Sequence, residues 1–249
     1  MNDLQHPDSR SFELVADLYE RARPEYPHEA VAWVVSKLGL GGDSTIVDLG
    51  AGTGKLTRAL LATGGHVIAV EPGDAMRAEL ERALPEVEAL RGAAERIPLA
   101  DRSVDCVAVG QAFHWFRHEE ALPELHRVLR PGGGVALLWN SRDQEKPLQQ
   151  EISDLISPFV PPGRPGHEHW ARPLEQSRLF TQPEEAHFPW VQKLDADGLA
   201  ARIGSVSFVA VAPAEARAEL EARLRRVTAR LGGVVDFPYV TDVYVSRAV

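Results

Sequence analysis

Val47-Asp48-Leu49-Gly50-Ala51-Gly52-Thr53-Gly54-Lys55-Leu56-Thr57 carries an apolar run into three alternate glycines and then into helix-forming residues. Glycine serves where a chain must turn sharply or where bare backbone must lie close to another group. The segment therefore reads as strand, tight turn, helix. Working outward, the same alternation repeats. Strands are expected at Thr45 to Leu49, His66 to Glu71, Val87 to Arg91, Val104 to Gly110 and Gly134 to Trp139, with helices at Lys55 to Ala62, Asp74 to Ala83 and His118 to Leu129 between them. Arg130-Pro131-Gly132 is expected to stop the last helix and turn the chain into the next strand. Such alternation predicts an α/β fold with a doubly wound, mainly parallel sheet.

The flanks differ from this core of residues 44–140. Ser11 to Arg21 reads as a helix that Arg23-Pro24-Glu25-Tyr26-Pro27 breaks, and His28 to Leu38 has apolar residues at helical spacing, so residues 1–40 read as a helical cover. After Asn140 the alternation stops. Arg142 to Trp170, rich in charge, proline, glycine and histidine, is expected to be an irregular loop or lid. A strand near Ala186 to Lys193 and helices near Asp197 to Ile203 and Ala214 to Leu231 complete a region of residues 141–235. The segment 236–249 holds a last strand from Tyr239 to Val245, and residues 1–249 read as a single domain.

Composition narrows the function. A 249-residue chain that is 44% hydrophobic can bury a proper core. A net charge of −9 opposes binding to a polyanion, so no nucleic-acid partner is expected. The lone Cys106 sits in an apolar run and reads as a packed core thiol, excluding a disulfide framework. No stretch approaches the roughly 18 apolar residues of a membrane span, and the N-terminus lacks an export pattern, so a cytoplasmic location without membrane insertion is expected. The pairs His114/His118 and His167/His169 lack a third ligand, and no metal site is expected. Oligomeric state stays open.

The turn has acidic companions. Glu71 ends the next strand about 20 residues on, where a carboxylate can accept from both hydroxyls of a ribose. This spacing suits either an adenosyl sulfonium or a dinucleotide. A dinucleotide fingerprint would place its third glycine where Lys55 stands. Asp48, just before the turn, would repel a pyrophosphate but tolerate a ligand bearing an ammonium and a sulfonium. As structural residues, Asp48 would be a buried acid bonded within the turn, Glu71 a solvated strand-end carboxylate and Glu95 an acid at a helix start.

With these residues in place the sequence resembles the class I methyltransferase family, and within it the ubiquinone/menaquinone and trans-aconitate methyltransferase-like branch. VDLGAGTGKLT is similar to the family's first motif, VIAVEPGDAM to its acidic second-strand motif, and GAAERIPLADRSVDCVAVGQAFHWF to the stretch from adenine loop to fourth strand. LHRVLRPGGGVALLWN resembles the return into the fifth strand. The resemblance implies a Rossmann-like seven-stranded sheet with an antiparallel last strand, and S-adenosyl-L-methionine as cofactor, released as S-adenosyl-L-homocysteine. It implies that Gly50, Ala51, Gly52 and Thr53 meet the methionine part, with Asp48 near its ammonium. Glu71 with Pro72 would hold the ribose, and Met76, Ala94 and Glu95 would meet the adenine. Gln111 and Ala112 would flank the methionyl chain, and Tyr19 and Arg23 would close over the cofactor.

Methyl transfer from a sulfonium is an in-line displacement, so the enzyme must chiefly align and desolvate its reactants. Ligands of open α/β sheets bind at the carboxyl ends of the strands, which puts Phe113, His114 and Trp115 beside the transferred methyl. Their rings would suit a planar or apolar small-molecule acceptor, and His114 is the candidate catalytic residue, as proton acceptor. In the alternative, Phe113 and Phe116 are core and His114 bonds only to backbone. A carboxylate acceptor would need no base, and an arginine clamp from Arg142 or Arg23 would serve it. Gln111-Ala112-Phe113-His114 stands where DNA amino-methyltransferases carry Asn/Asp-Pro-Pro-Tyr/Phe, which disfavours base methylation. An NAD-dependent oxidoreductase and a non-catalytic cofactor-binding module remain the rival readings.

Overall fold

The computed structural model describes residues 23–161 and 170–249. The helix expected at Ser11 to Arg21, with Tyr19, lies outside them, as do His167 and His169. The strands are β1 Thr45–Leu49, β2 His66–Val70, β3 Glu88–Leu90, β4 Val104–Gly110, β5 Leu129–Arg142, β6 Glu184–Asp195 and β7 Val234–Arg247. The helices are α1 His28–Leu38, α2 Lys55–Leu61, α3 Asp74–Ala83, α4 His118–Val128, α5 Pro147–Ile156, α6 Arg172–Gln176, α7 Ala196–Gly204, α8 Ser207–Ala210 and α9 Ala214–Arg230.

The strands form one sheet in the order β3-β2-β1-β4-β5-β7-β6. Pairs from β3 through β5 are parallel, and β7 inserts antiparallel between β5 and β6. Both faces of the central strands are covered. Val47, Val107, Val135 and Leu137 face a core with Leu122 and Leu125 of α4, while Ile46, Cys106, Ala136 and Leu138 face Val31 and Val34 of α1 and Leu60 of α2. Two covered faces explain why these strands read as continuous apolar runs. Cys106 is fully buried, and burial pushes its thiol up to about 12. Since β1 has β2 on one side and β4 on the other, the connections leave it in opposite directions, which opens a crevice at its carboxyl end.

Three expectations need correction. The strand expected at Gly134 to Trp139 extends over Leu129–Arg142, because Leu129 pairs with Val104 of β4 at one end and Asn140 to Arg142 pair with β7 at the other. The turn expected at Arg130-Pro131-Gly132 lies inside that strand, where the register shifts between Val104 and Cys106 and Gly132 takes φ +84°. The irregular lid expected from Arg142 contains α5, whose Gln149, Ile152 and Ile156 are buried and whose first helical residue is Pro147. Helices α5, α7 and α9 pack on the outer half of β7 through Ile152, Leu199, Ile203, Leu224, Phe237 and Tyr239.

Candidate active site

The three glycines of the β1–α2 turn have φ of +71°, +57° and +90°. Their environments then separate them. A Cβ on Gly50 would lie 2.8 Å from the Ala112 Cβ, with Phe116 behind it, and one on Gly54 would press on Leu80 of α3 and on Leu84 just after it. One on Gly52 would meet no atom of the described residues within 4 Å. Gly50 and Gly54 thus admit the protein's own side chains, and only Gly52 faces open space.

Among the described residues, the buried Asp48 Oδ1 and Thr53 Oγ1 beside this turn find no hydrogen-bond partner. Asp48 is 1% exposed, and its other oxygen accepts from the Thr57 hydroxyl at 2.6 Å. Its carboxyl is raised to about 7, first by burial, against the Thr57 hydrogen bonds and with a small contribution from Glu71. A buried carboxylate oxygen without a donor is costly unless a cation or donor arrives. Glu71 is also buried, with Oε2 accepting from the Gly52 N–H and Oε1 from the Gly73 N–H, both at 2.8 Å. It ties the glycine turn to the turn after β2 and is no solvated strand-end acid.

The crevice beside these groups is lined by Arg23, Asp48, Gly50, Ala51, Gly52, Thr53 and Gln111 among the expected residues. Its lining also includes Tyr26, Lys55, Gly110 and Asn140, which the sequence reading missed. Asn140 is the hub. Its Nδ2 donates to the Glu25 carbonyl at 3.0 Å, its carbonyl accepts from Gln111 Nε2 at 2.9 Å, and its Oδ1 accepts from the Thr241 hydroxyl at 2.5 Å. The usable signal was a polar residue ending the apolar run of β5. Gln111 has φ +59°, a left-handed conformation that costs a non-glycine residue about 1 kcal/mol or more and gathers at functional sites. Lys55 Nζ donates to Glu25 Oε1 at 2.7 Å, strapping the Arg23–Tyr26 segment across the crevice. A Cβ on Gly110 would come within 2.6 Å of the Tyr26 hydroxyl. With the strap in place the cavity is about 50 Å³.

The other expected residues lie apart from this lining. Met76 is buried on α3, and Ala94 is core. Glu95 Oε1 accepts from the Arg117 N–H at 2.7 Å, at the start of α4. Ala112 packs toward Gly50, and Pro72 follows Glu71 in the turn before α3. Phe113, expected in the acceptor wall, is 1% exposed and belongs to the core, because the 3₁₀ turn Phe113–Trp115 aims it inward against Phe116. His114 is exposed, its ring 4.4 Å from Trp115 and 5.2 Å from Trp170. Trp170 stacks on Trp139 of β5 at 5.1 Å and 7°. Arg142 ends β5 two residues beyond the lining residue Asn140, with Nη2 donating to Ser153 Oγ at 3.1 Å. Among the described residues no helix is long and apolar enough to cross a membrane, and no cluster of three His, Cys, Asp or Glu is placed to hold a metal.

A model of the methyltransferase domain family matches residues 47–137. Over 238 residues the chain is 38% identical to an uncharacterized methyltransferase of Mycobacterium tuberculosis, covering 94% of this chain and 93% of that protein. An uncharacterized methyltransferase of Schizosaccharomyces pombe is 36% identical over 247 residues, 96% of this chain and 98% of that one. Among solved structures, a type II methyltransferase candidate from Anaeromyxobacter dehalogenans has the same fold, with a TM-score of 0.68 at 24% identity over 91% of this chain and 97% of that chain.

Proposed function

The chain belongs to the class I S-adenosylmethionine-dependent methyltransferase family, and from that premise we propose that it is a cytosolic enzyme methylating a small molecule held at the carboxyl ends of β4 and β5. The observation that carries the acceptor reading is the aromatic group of His114, Trp115, Trp139 and Trp170, which stands where β4 and β5 end. A net charge of −9 weighs against a nucleic-acid acceptor.

The residues at the turn suit the cofactor. Asp48 Oδ1 and Thr53 Oγ1 offer an ammonium and its neighbours the partners they lack, and the space over Gly52 accepts a chain lying on bare backbone. A cavity of about 50 Å³ falls well below the ~300 Å³ of ordinary ligand pockets, so the Arg23–Tyr26 strap shifts outward when a nucleoside enters. Glu71 holds the turn in shape and offers its remaining lone pairs to the ribose, while Met76, Ala94 and Glu95 form the adenine side. Bound S-adenosylmethionine supplies a methyl group on a sulfonium. The indole faces exclude water and favour positive charge next to them, and His114 accepts the proton of a hydroxyl or amine acceptor.

Two measurements test this. Calorimetry should show S-adenosylhomocysteine binding and no binding of NADH; tight NADH binding with no response to S-adenosylhomocysteine overturns the cofactor reading. Incubation of a metabolite library with S-adenosylmethionine should yield a methylated product by mass spectrometry. Cofactor binding without any methylated metabolite would instead favour a binding module.

A further inference from the structure

Arg142 and Arg202 meet at Tyr239, which pairs with Arg142 across β5 and β7 and accepts from Arg202 Nε, and among the described residues no carboxylate neutralises either. Arg142 Nη1 donates to Gln149 Oε1 at 3.4 Å and Nη2 to Ser153 Oγ at 3.1 Å, both neutral acceptors. Arg202 is 5% exposed, its Nε donates to the Tyr239 hydroxyl, and its Nη1 is buried with no hydrogen-bond partner among the described residues. Tyr239 belongs to an apolar cluster with Ile152, Leu199, Ile203 and Phe237, and buried Arg202 beside it has little water to screen its charge. Burial and then the neighbouring Arg202 charge hold Arg142 down to about 10. Other arginines of the chain do pair with acids: Arg127 with Glu124 and Asp101, Arg225 with Asp197 and Glu221.

A purely structural role accounts for only part of this. Arg202 sits in the last turn of α7, where a cation meets the negative helix end, and its guanidinium lies 5.6 Å from the Tyr239 ring centroid. These contacts explain one charge and the Nε donor. They leave Nη1 without an acceptor and give no reason to place a second cation beside the first, an arrangement stable only against strong repulsion and desolvation.

We propose that Arg142 and Arg202 form an oxyanion-binding subsite for the acceptor, which takes the carboxylate or phosphate group of a small molecule through charge-assisted contacts. The inference rests on the methyltransferase reading of the crevice and names the acceptor's chemical class. The subsite adjoins the crevice. Asn140 lines the crevice, and Arg142 follows two residues later on the same face of β5, about 7 Å along the strand. Arg23, also at the crevice, donates from Nη2 to the Ser205 carbonyl at 2.9 Å, and Ser205 Oγ donates to the Arg202 carbonyl at 2.8 Å. An acceptor anchored by its anionic end at the arginines reaches the crevice with the other end.

The test titrates the full chain separately with succinate and with inorganic phosphate, with no S-adenosylhomocysteine present, reading melting temperature and the ¹⁵N–¹H signals of the arginine Nε groups. At least one probe should raise the melting temperature and shift those signals; succinate alone identifies a carboxylate, and phosphate alone a phosphoryl group. Arg202→Met and Arg142→Gln should each weaken the effective probe about tenfold or more, the loss of a charged hydrogen bond, while S-adenosylhomocysteine binding stays within about twofold. Arg202→Met should also leave the probe-free melting temperature unchanged or raised, because an apolar side chain replaces an uncompensated charge. Should that variant not fold, the charge at position 202 is structural and the proposal falls. Binding of neither probe to the wild type, or equal binding to wild type and both variants, also overturns it. Because these arms omit the cofactor product, failure of S-adenosylhomocysteine to bind would count against the crevice alone.

Discussion

Replacing Asp48 with asparagine sets cofactor binding against stability in a way that can be measured. The carboxyl stands at about 7 in the folded chain, against an ordinary value of 3.8, chiefly because it is buried. The native state therefore holds more protons than the unfolded state between these two values. Stability from this group is full below pH 4 and falls as pH rises through 7. At about 1.4 kcal/mol per pH unit, the ionised carboxylate costs the ligand-free protein about 4 kcal/mol by pH 8, an upper figure because water entering the crevice would reduce it. Asp48→Asn keeps an oxygen to accept from Thr57 but cannot ionise. Urea denaturation should find the variant close to wild type at pH 4 and more stable by up to about 4 kcal/mol at pH 8. Cofactor binding should run the other way. At pH 7 about half of the Asp48 population is protonated, so binding a ligand with an ammonium should release about half a proton per site, seen as a calorimetric enthalpy that depends on the buffer. Affinity for S-adenosylhomocysteine should rise from pH 6 to 8 in wild type and fall about tenfold or more at pH 8 in the variant, the loss of a charged hydrogen bond. A wild type whose stability relative to the variant does not fall between pH 5 and 8, and whose binding enthalpy ignores the buffer, would refute this account of Asp48.

Further outcomes follow from the same geometry. Thr57→Val removes a hydrogen bond that lowers the Asp48 carboxyl, so the midpoint of the pH-dependent affinity should move to higher pH, and an unmoved midpoint would assign the titration to another group. Gly50→Ala should destabilise by more than about 2 kcal/mol, strain plus overpacking against Ala112, and Ala112→Gly should recover part of the loss. Gly52→Ala should cost only the left-handed strain of about 1–2 kcal/mol, yet reduce S-adenosylhomocysteine affinity more than Gly50→Ala rescued by Ala112→Gly; equal losses would show that the space over Gly52 holds no ligand. His114→Asn should lower kcat about 100-fold or more for a hydroxyl or amine acceptor, flatten the pH profile and leave the KM for S-adenosylmethionine unchanged. An unaltered pH profile would remove His114 from proton transfer.

The sheet was readable from the chain because its decisive features are local. An apolar run closed by alternate glycines, repeated strand–helix alternation and a carboxylate after the next strand are contained in short windows, and β1, β2, β4, α1 and α3 stand within a residue of expectation. The family followed from the same windows. The ends of β5, β6 and β7 were not readable to that degree, since their lengths come from pairing with one another across the chain. Helix α5 was hidden because its apolar residues lie among glutamines and a glutamate, and only the folded chain brings α7, α9 and β7 into one apolar cluster with them.

The candidate site divides along the same line. Sequence by itself determined that Asp48, the three glycines and Glu71 belong to one turn system, because backbone conformation and strand order fix their neighbours. Only the tertiary structure decided that Gly50 admits Ala112 while Gly52 faces open space, that Phe113 turns into the core and His114 out, that Glu71 holds two backbone amides, and that Asn140 joins the N-terminal strap to β7. The pairing of Arg142 with Arg202 is the extreme case. Their approach is created by α7 folding back on β7, and a charge without a counter-charge among the described residues is visible only in the folded chain.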